Sequence, residues 1–375
     1  MRLAPSEEQL AFADSLHAML AAADLPKVSA AWADGDPGAG RALWSALAGA
    51  GVTGLLVPER WGGHDAGPVD LIVACEELGH HAVPGPLAES VAAVPALLTA
   101  AATAPNRPRD AAREWLPALA RGRLVASLVA PPWLPFAADG DGADLILVTD
   151  GDEIRQGHAR SVLPSLNPAR RLSEVTPGAL IASGQDSGLA MELGVLACSA
   201  QLLGAARALL ERSVDYAKQR TQFGRPIGSF QAVRHQLADV AVAIEFAQPL
   251  LYAAAVALKP PPEPPERDPA AGRCVRPVTD EPLDVSAAKV ACGEAARRAA
   301  RVALQVHGAV GYTREHGLWR WLGLVRVLDL AWGTPSWHRA RILTGLASEW
   351  RESGDHPAAA VRWEPAHPYR KEGFE

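Results

Sequence analysis

Two stretches of the chain carry an apolar side chain at alternating steps of three and four residues, and such a pattern commits them to long helices with one buried face. The first runs Phe230, Val233, Leu237, Val240, Ile244, Ala247 and Leu251; the second runs Ala288, Cys292, Ala295, Ala299, Val302 and Val306. Seams of this length are satisfied by packing against other helices, so the spacing predicts a helical bundle over residues 188–352. Its last helix should begin at Thr334-Pro335, a cap residue followed by a proline suited to the first turn. Between the seams lies Lys259-Pro260-Pro261-Pro262-Glu263-Pro264-Pro265, continuing to Pro282, which reads as an extended surface loop. Residues 353–375 form a tail.

Residues 1–120 read as a helical first domain. Ser6 and Gln9 have capping-box spacing, with Leu10, Leu16, Met19 and Leu20 behind them. Further helices are expected at Arg41–Ala50, Val69–Leu78 and Leu87–Ala102, the last broken or kinked near Pro95. Over residues 121–187 the character changes. Leu124–Ala130 and Asp144–Val148 are short and rich in Val, Ile and Leu, and Pro131-Pro132, Pro135 and Asp139-Gly140-Asp141-Gly142 separate them. Ile154 and residues 172–181 can add strands. The fold class is therefore mainly α with a small central β domain.

Composition excludes several functions. Lys and Arg number 36 against 42 Asp and Glu, and no basic run stands out, which argues against nucleic-acid binding. The four cysteines, Cys75, Cys198, Cys274 and Cys292, form no C-x-x-C pair, so no zinc or redox signature is present, and sparse thiols fit a reducing compartment. Met1-Arg2-Leu3 leads into Glu7-Glu8, unlike a secretory signal, and Pro84, Pro86, Glu89 and Pro95 interrupt the softest stretch, Ala82–Ala104. A cytoplasmic protein with no membrane association is the expectation.

Three segments carry more specific information. They are Tyr216-Ala217-Lys218-Gln219-Arg220-Thr221-Gln222-Phe223-Gly224-Arg225-Pro226-Ile227-Gly228-Ser229-Phe230-Gln231, Gln305-Val306-His307-Gly308-Ala309-Val310-Gly311-Tyr312-Thr313, and Gly333-Thr334 ahead of the last helix. Pro58-Glu59-Arg60-Trp61-Gly62-Gly63 and Glu76-Glu77-Leu78-Gly79 precede them. Together, in this order, they resemble the acyl-CoA dehydrogenase family. The resemblance implies an N-terminal helical domain, a β domain and a C-terminal four-helix bundle.

In that family FAD lies between two subunits, and the neighbour supplies an Arg and a polar residue for the pyrophosphate and a Gln with a Gly-rich turn near the adenosine. A doubly anionic pyrophosphate calls for a guanidinium fork, and close backbone approach calls for glycine. Carried over, Arg220, Gln222 and Phe223 take the first role, Gln305 and Gly308 the second, and Thr334 belongs with the Gly-Thr segment. Ala309 stands where a glycine is usual. On their own, His307, His338 and Tyr312 read as packing residues.

The reaction that the resemblance implies needs a carboxylate to take the α proton of the acyl thioester while a hydride passes to the flavin. Most members place a Glu immediately before Gly-Thr; this chain has Trp332, whose indole offers an N–H and no basic lone pair. Other members place the Glu on the helix leading to the Arg segment. Counting 26 residues back from Arg220 gives Gly194, and Glu192 lies two positions away, about 200° around a helix. The family's flavin-cradling segment in the β domain is replaced by Pro131-Pro132-Trp133-Leu134-Pro135-Phe136.

What survives serves a neighbour's flavin, and what is missing would serve the chain's own. The resemblance therefore points to a non-catalytic subunit that completes a sister subunit's FAD site, as in heteromeric α2β2 members of bacterial steroid side-chain degradation. Trp332 would fill the vacated acyl pocket. Two alternatives stay open: a self-sufficient flavoenzyme with Glu192 as a relocated base, and a structural homologue binding neither flavin nor CoA.

Overall fold

A computed structural model of the chain describes residues 4–36, 38–103, 110–184, 186–258 and 283–352. The Pro-rich stretch 259–282, Cys274 within it, and the tail 353–375 lie outside the described residues.

The N-terminal domain comprises α1 (Glu7–Ala22), α2 (Leu25–Ala33), α3 (Gly38–Gly49), α4 (Pro68–His80), α5 (Val94–Thr103) and α6 (Asp110–Ala120). Ser6 begins α1 as its residues dictate: its hydroxyl accepts from the Gln9 backbone N–H at 3.2 Å while the Gln9 side-chain Oε1 accepts from the Ser6 backbone N–H at 2.9 Å. Leu16 and Leu20 face inward; Leu10 is exposed. The irregularity expected at Pro95 falls earlier. Glu89–Ala93 forms a π-helical turn that runs without a break into α5 at Val94, so Pro95 sits in a continuous helix just past the π turn. This turn is tied to the β domain by Ser90, whose hydroxyl donates to the Ala126 carbonyl at 2.5 Å and accepts the Ala126 N–H at 2.9 Å.

The β domain is a five-stranded sheet of β1 (Ala126–Val129), β2 (Ala137–Ala138), β3 (Leu145–Asp150), β4 (Glu153–Leu163) and β5 (Leu172–Ala182), in the order β1-β3-β4-β5-β2. The β1–β3 pair is parallel and the others antiparallel. Among them β4 is longer than Ile154 alone suggested, because its outer half is exposed and carries polar residues that hide the strand pattern.

The C-terminal bundle consists of α7 (Gly188–Gln219), α8 (Gln231–Ala257), α9 (Leu283–His307) and α11 (Pro335–Glu352), with α10 (Trp319–Leu330) and a hairpin of β6 (Thr221–Gln222) and β7 (Arg225–Pro226). It lies on the N-terminal domain through α4 and α7, which meet at two glycines. A Cβ on Gly79 would fall 2.1 Å from the Gln201 oxygen, and one on Gly204 would fall 1.9 Å from the Glu76 oxygen. Backbones this close leave no room for any side chain. The fold is thus the helical, β, helical arrangement that the resemblance implies.

Two expectations are corrected. Of the predicted α8 seam, Val240, Ile244, Ala247 and Leu251 are buried, while Phe230, Val233 and Leu237 are only half-buried, at the end next to the hairpin. Tyr312 is 75% exposed rather than packed. A second apolar stripe on α8, formed by Val242, Phe246 and Leu250 four residues apart, faces outward.

Candidate functional site

Both ends of the bundle carry residues that the sequence singled out. At one end, the loop between α10 and α11 holds Trp332 with φ +59° and Gly333 with φ +90°. A bulky residue in the left-handed region costs about 1–3 kcal/mol, and surrounding bonds must hold it there. His338, on α11, does so. Its Nε2–H donates to the Trp332 carbonyl at 2.8 Å, and its Nδ1 lies 3.0 Å from the Ser286 hydroxyl of α9. Burial and the nearby Lys289 cation push the His338 imidazole down to about 3, so it serves as a neutral donor–acceptor bridge.

The Trp332 indole is wholly buried. It lies against the backbone of α7 at Gly194, where a Cβ would meet the ring at 2.1 Å. The two places where the resemblance puts a catalytic carboxylate are therefore one place in space, and an indole packed on a glycine fills it. Glu192 is engaged beside this site, its carboxylate 2.6 Å from the Arg341 guanidinium of α11, which also donates to the Ser286 hydroxyl at 3.3 Å; both side chains of the pair are 12% exposed. Thr334 sits at this same end. Its hydroxyl accepts the Trp337 N–H at 3.2 Å, capping α11, and lies 3.0 Å from the Ser336 hydroxyl.

At the other end α7 stops at Arg220, the β6–β7 hairpin turns through Phe223 (φ +51°) and Gly224 (φ +77°), and Arg220, Gln222 and Phe223 are all exposed, Phe223 by 91%. Arg225 stacks on Phe230, 4.2 Å from the ring centre, and Phe223 meets the same ring edge-on at 6.2 Å. The last turn of α9 arrives beside them: His307 stacks on Tyr216, one turn before Arg220, at 4.5 Å. Gln305 is exposed there, and Gly308 turns the chain with φ +62°. Arg220, Gln222, Phe223, Gln305 and Gly308 are thus gathered at one end, and Thr334 stands apart from them. Gly194 and Arg220 are separated by 26 residues of one helix, about 39 Å at the usual rise. The two groups of residues therefore lie at opposite ends of one helix.

The residues following β1 do not fit a flavin cradle. Pro131, Pro132 and Pro135 have no N–H, and the N–H groups of Trp133 and Leu134 both point to the Ala130 carbonyl, at 3.1 and 2.9 Å. None of residues 131–135 has a backbone donor left to offer a cofactor. The Trp133 ring packs edge-on against Trp337, 5.4 Å away, beside the Trp332 loop.

Buried charge near the end of β1 escaped the sequence. Glu89, in the π-helical turn, pairs with Arg170 at 2.9 Å, and both are buried. They line a cavity of ≈ 20 Å³ with Gln201 and Leu328, space for water and not for an acyl chain. Asp139, fully buried with φ +49°, accepts the Arg171 N–H at 2.9 Å. Burial pushes its carboxyl up to about 7, with Arg170 opposing. A folded-state value raised above the unfolded one gives stability that is complete below about pH 4 and is lost as pH rises through about 7. Asp139→Asn, which keeps an acceptor and tolerates the left-handed conformation, should gain on the order of 2 kcal/mol over the native chain at pH 8 and little at pH 4, read from urea unfolding midpoints.

Comparison with known proteins gives the family. The N-terminal domain of the acyl-CoA dehydrogenases matches residues 6–123, and their C-terminal domain matches residues 189–347. The chain belongs to the acyl-CoA dehydrogenase family. It is 30% identical over 316 residues to acyl-CoA dehydrogenase IpdE2 of Mycolicibacterium smegmatis, covering 84% of this chain and 90% of that one. Among solved structures it is similar to the ChsE4-ChsE5 complex from Mycobacterium tuberculosis (TM-score 0.71, 21% identity, 96% of this chain and 100% of that chain). It is also similar to a variant of the Tcur3481-Tcur3483 steroid ACAD (TM-score 0.75, 22% identity, 92% and 99%).

Proposed function

We propose that the chain is the non-catalytic subunit of a heteromeric FAD-dependent acyl-CoA dehydrogenase, completing the flavin site of a homologous partner. The observation that carries this reading is the separation of the two ends: an exposed Arg220 hairpin at one, and at the other a base position filled by Trp332 on Gly194. An Arg–pyrophosphate contact needs a guanidinium free to leave its own subunit, and Arg220 is exposed at a helix end. FAD bound in the partner would supply the hydride acceptor for α,β-desaturation of an acyl-CoA thioester. This chain would contribute Arg220 and Gln222 toward the pyrophosphate and Gln305 toward the adenosine, and would take no proton from the substrate. The outward stripe Val242, Phe246 and Leu250 on α8, with Leu343 and Leu346 exposed on α11, fits burial against a second bundle. The similar solved structures include the ChsE4-ChsE5 complex, which favours a partner that is a relative rather than a copy.

The test is turnover of acyl-CoA, followed by reduction of an electron-accepting dye, for this chain co-expressed with a family member that has an intact Glu-Gly-Thr segment. Replacing the partner's Glu by Gln should abolish turnover, whereas Glu192→Gln here should leave it within about twofold, because Glu192 is anchored to Arg341. Loss of turnover in a folded Glu192→Gln complex would instead establish the relocated-base alternative.

A further inference from the structure

Apart from the flavin-related residues, three imidazoles and two carboxylates from three helices meet where α7 crosses the N-terminal domain. His17 comes from α1; Glu77 and His80 lie on the last turn of α4, with His81 following as its cap; Glu211 comes from α7. Ring centres are 4.6 Å apart for His17 and His81, 5.0 Å for His80 and His81, and 5.2 Å for His17 and His80. One donor atom each from His17, Glu77, His80 and His81 lies within 4.8 Å of every other. His17 is half-exposed, which leaves an entry path, and the other three are largely enclosed.

The hydrogen bonds within the cluster compete for too few protons. His17 Nδ1 lies 2.9 Å from a Glu77 oxygen and 3.2 Å from His81 Nε2, and that same His81 nitrogen lies 4.0 Å from the Glu77 oxygen. One proton on His17 Nδ1 cannot serve both neighbours, and cationic imidazoles at this spacing repel. His80 has the opposite arrangement. Its Nε2 is 2.8 Å from the Glu211 carboxylate, while its Nδ1 is enclosed and has no hydrogen-bond partner among the described residues. A neutral histidine that donates one N–H to a carboxylate presents its other nitrogen as a lone pair, the arrangement by which an outer carboxylate orients a metal-binding imidazole.

We propose that His17, His80, His81 and Glu77 form a binding site for a divalent transition-metal ion of the zinc class, with Glu211 as the outer partner of His80. Three nitrogens and one carboxylate oxygen match the ligand chemistry of such an ion. A tetrahedral site with bonds of about 2.1 Å sets donors about 3.4 Å apart. Donors already within 4.8 Å of one another reach that spacing by small side-chain rotations. Bound there, the ion fastens α1, which reaches the domain chiefly through α4, to the body of the protein. This site is independent of the flavin reading.

The experiment uses the full-length chain without a histidine tag, alone or in its complex, stripped with a chelator and titrated with zinc chloride by calorimetry. One saturable equivalent is expected, together with a thermal midpoint that rises with the logarithm of free zinc. His17→Ala and His80→Ala should weaken binding at least 100-fold, and Glu211→Gln about 10-fold as an outer partner. His158→Ala, on exposed β4, should change nothing. Absence of saturable binding, or binding that survives both His17→Ala and His80→Ala, overturns the proposal. Should these variants fail to fold, X-ray absorption of the zinc-loaded native chain decides: three imidazole nitrogens and one oxygen support the site, and sulfur ligation or fewer than three imidazoles overturns it.

Discussion

Trp332→Ala should lower the stability of the chain by about 4 kcal/mol, because it removes one of its largest wholly buried side chains from a place that cannot collapse. Gly194 offers only backbone on the facing side, and the His338–Ser286 bridge fixes the Trp332 carbonyl, so the cavity would stay open. Urea unfolding followed by circular dichroism measures the loss. Trp332→Gly should recover roughly 1 kcal/mol of it, since glycine adopts φ +59° without strain. Trp332→Glu restores the residue type that the family uses there, yet the lone chain should still not reduce a flavin. Residues 131–135 leave no backbone donor free to hold one, and the Arg220 hairpin is about 39 Å away. A stability change below about 1 kcal/mol for Trp332→Ala would mean that the indole does not fill the site.

The second large effect is on cofactor retention. Arg220→Ala, made in this chain within the assembled complex, should weaken flavin binding about 100-fold, the cost of losing a charge-assisted guanidinium–phosphate contact. Its folding should be unaffected, because Arg220 is exposed and its backbone, not its side chain, closes the turn through the Ile227 N–H at 2.8 Å. Gln305→Ala should have a smaller effect in the same direction. Flavin absorbance of the complex after gel filtration reads both. Full retention by Arg220→Ala would favour the structural homologue that binds neither flavin nor CoA.

The legible parts of the molecule were those written in contiguous sequence. The Arg220–Gln231 segment, the Gln305–Thr313 turn and the Trp332-Gly333-Thr334 loop each declare themselves within a few residues, and the seams of α8 and α9 declare the bundle. Counting back from Arg220 found Gly194, although only the folded chain brings it against Trp332. What the sequence hid depends on distant pairing. Glu89 and Arg170 are 81 residues apart and read separately as a helix residue and a loop residue. His17 lies 60 residues from Glu77, so no spacing rule connects them. The π-helical turn at Glu89–Ala93 was hidden behind Pro95, the more obvious breaker, and α10 begins without a side-chain cap to mark it.

The central claim is that this chain serves a flavin it does not itself hold, and flavin stoichiometry measures it most directly. Purified alone, the chain should carry essentially no FAD. Purified with its partner, the assembly should carry one FAD per partner subunit and none for this one, and acyl-CoA should bleach all of it. A full equivalent of FAD in the lone chain, bleached by acyl-CoA, would contradict the account.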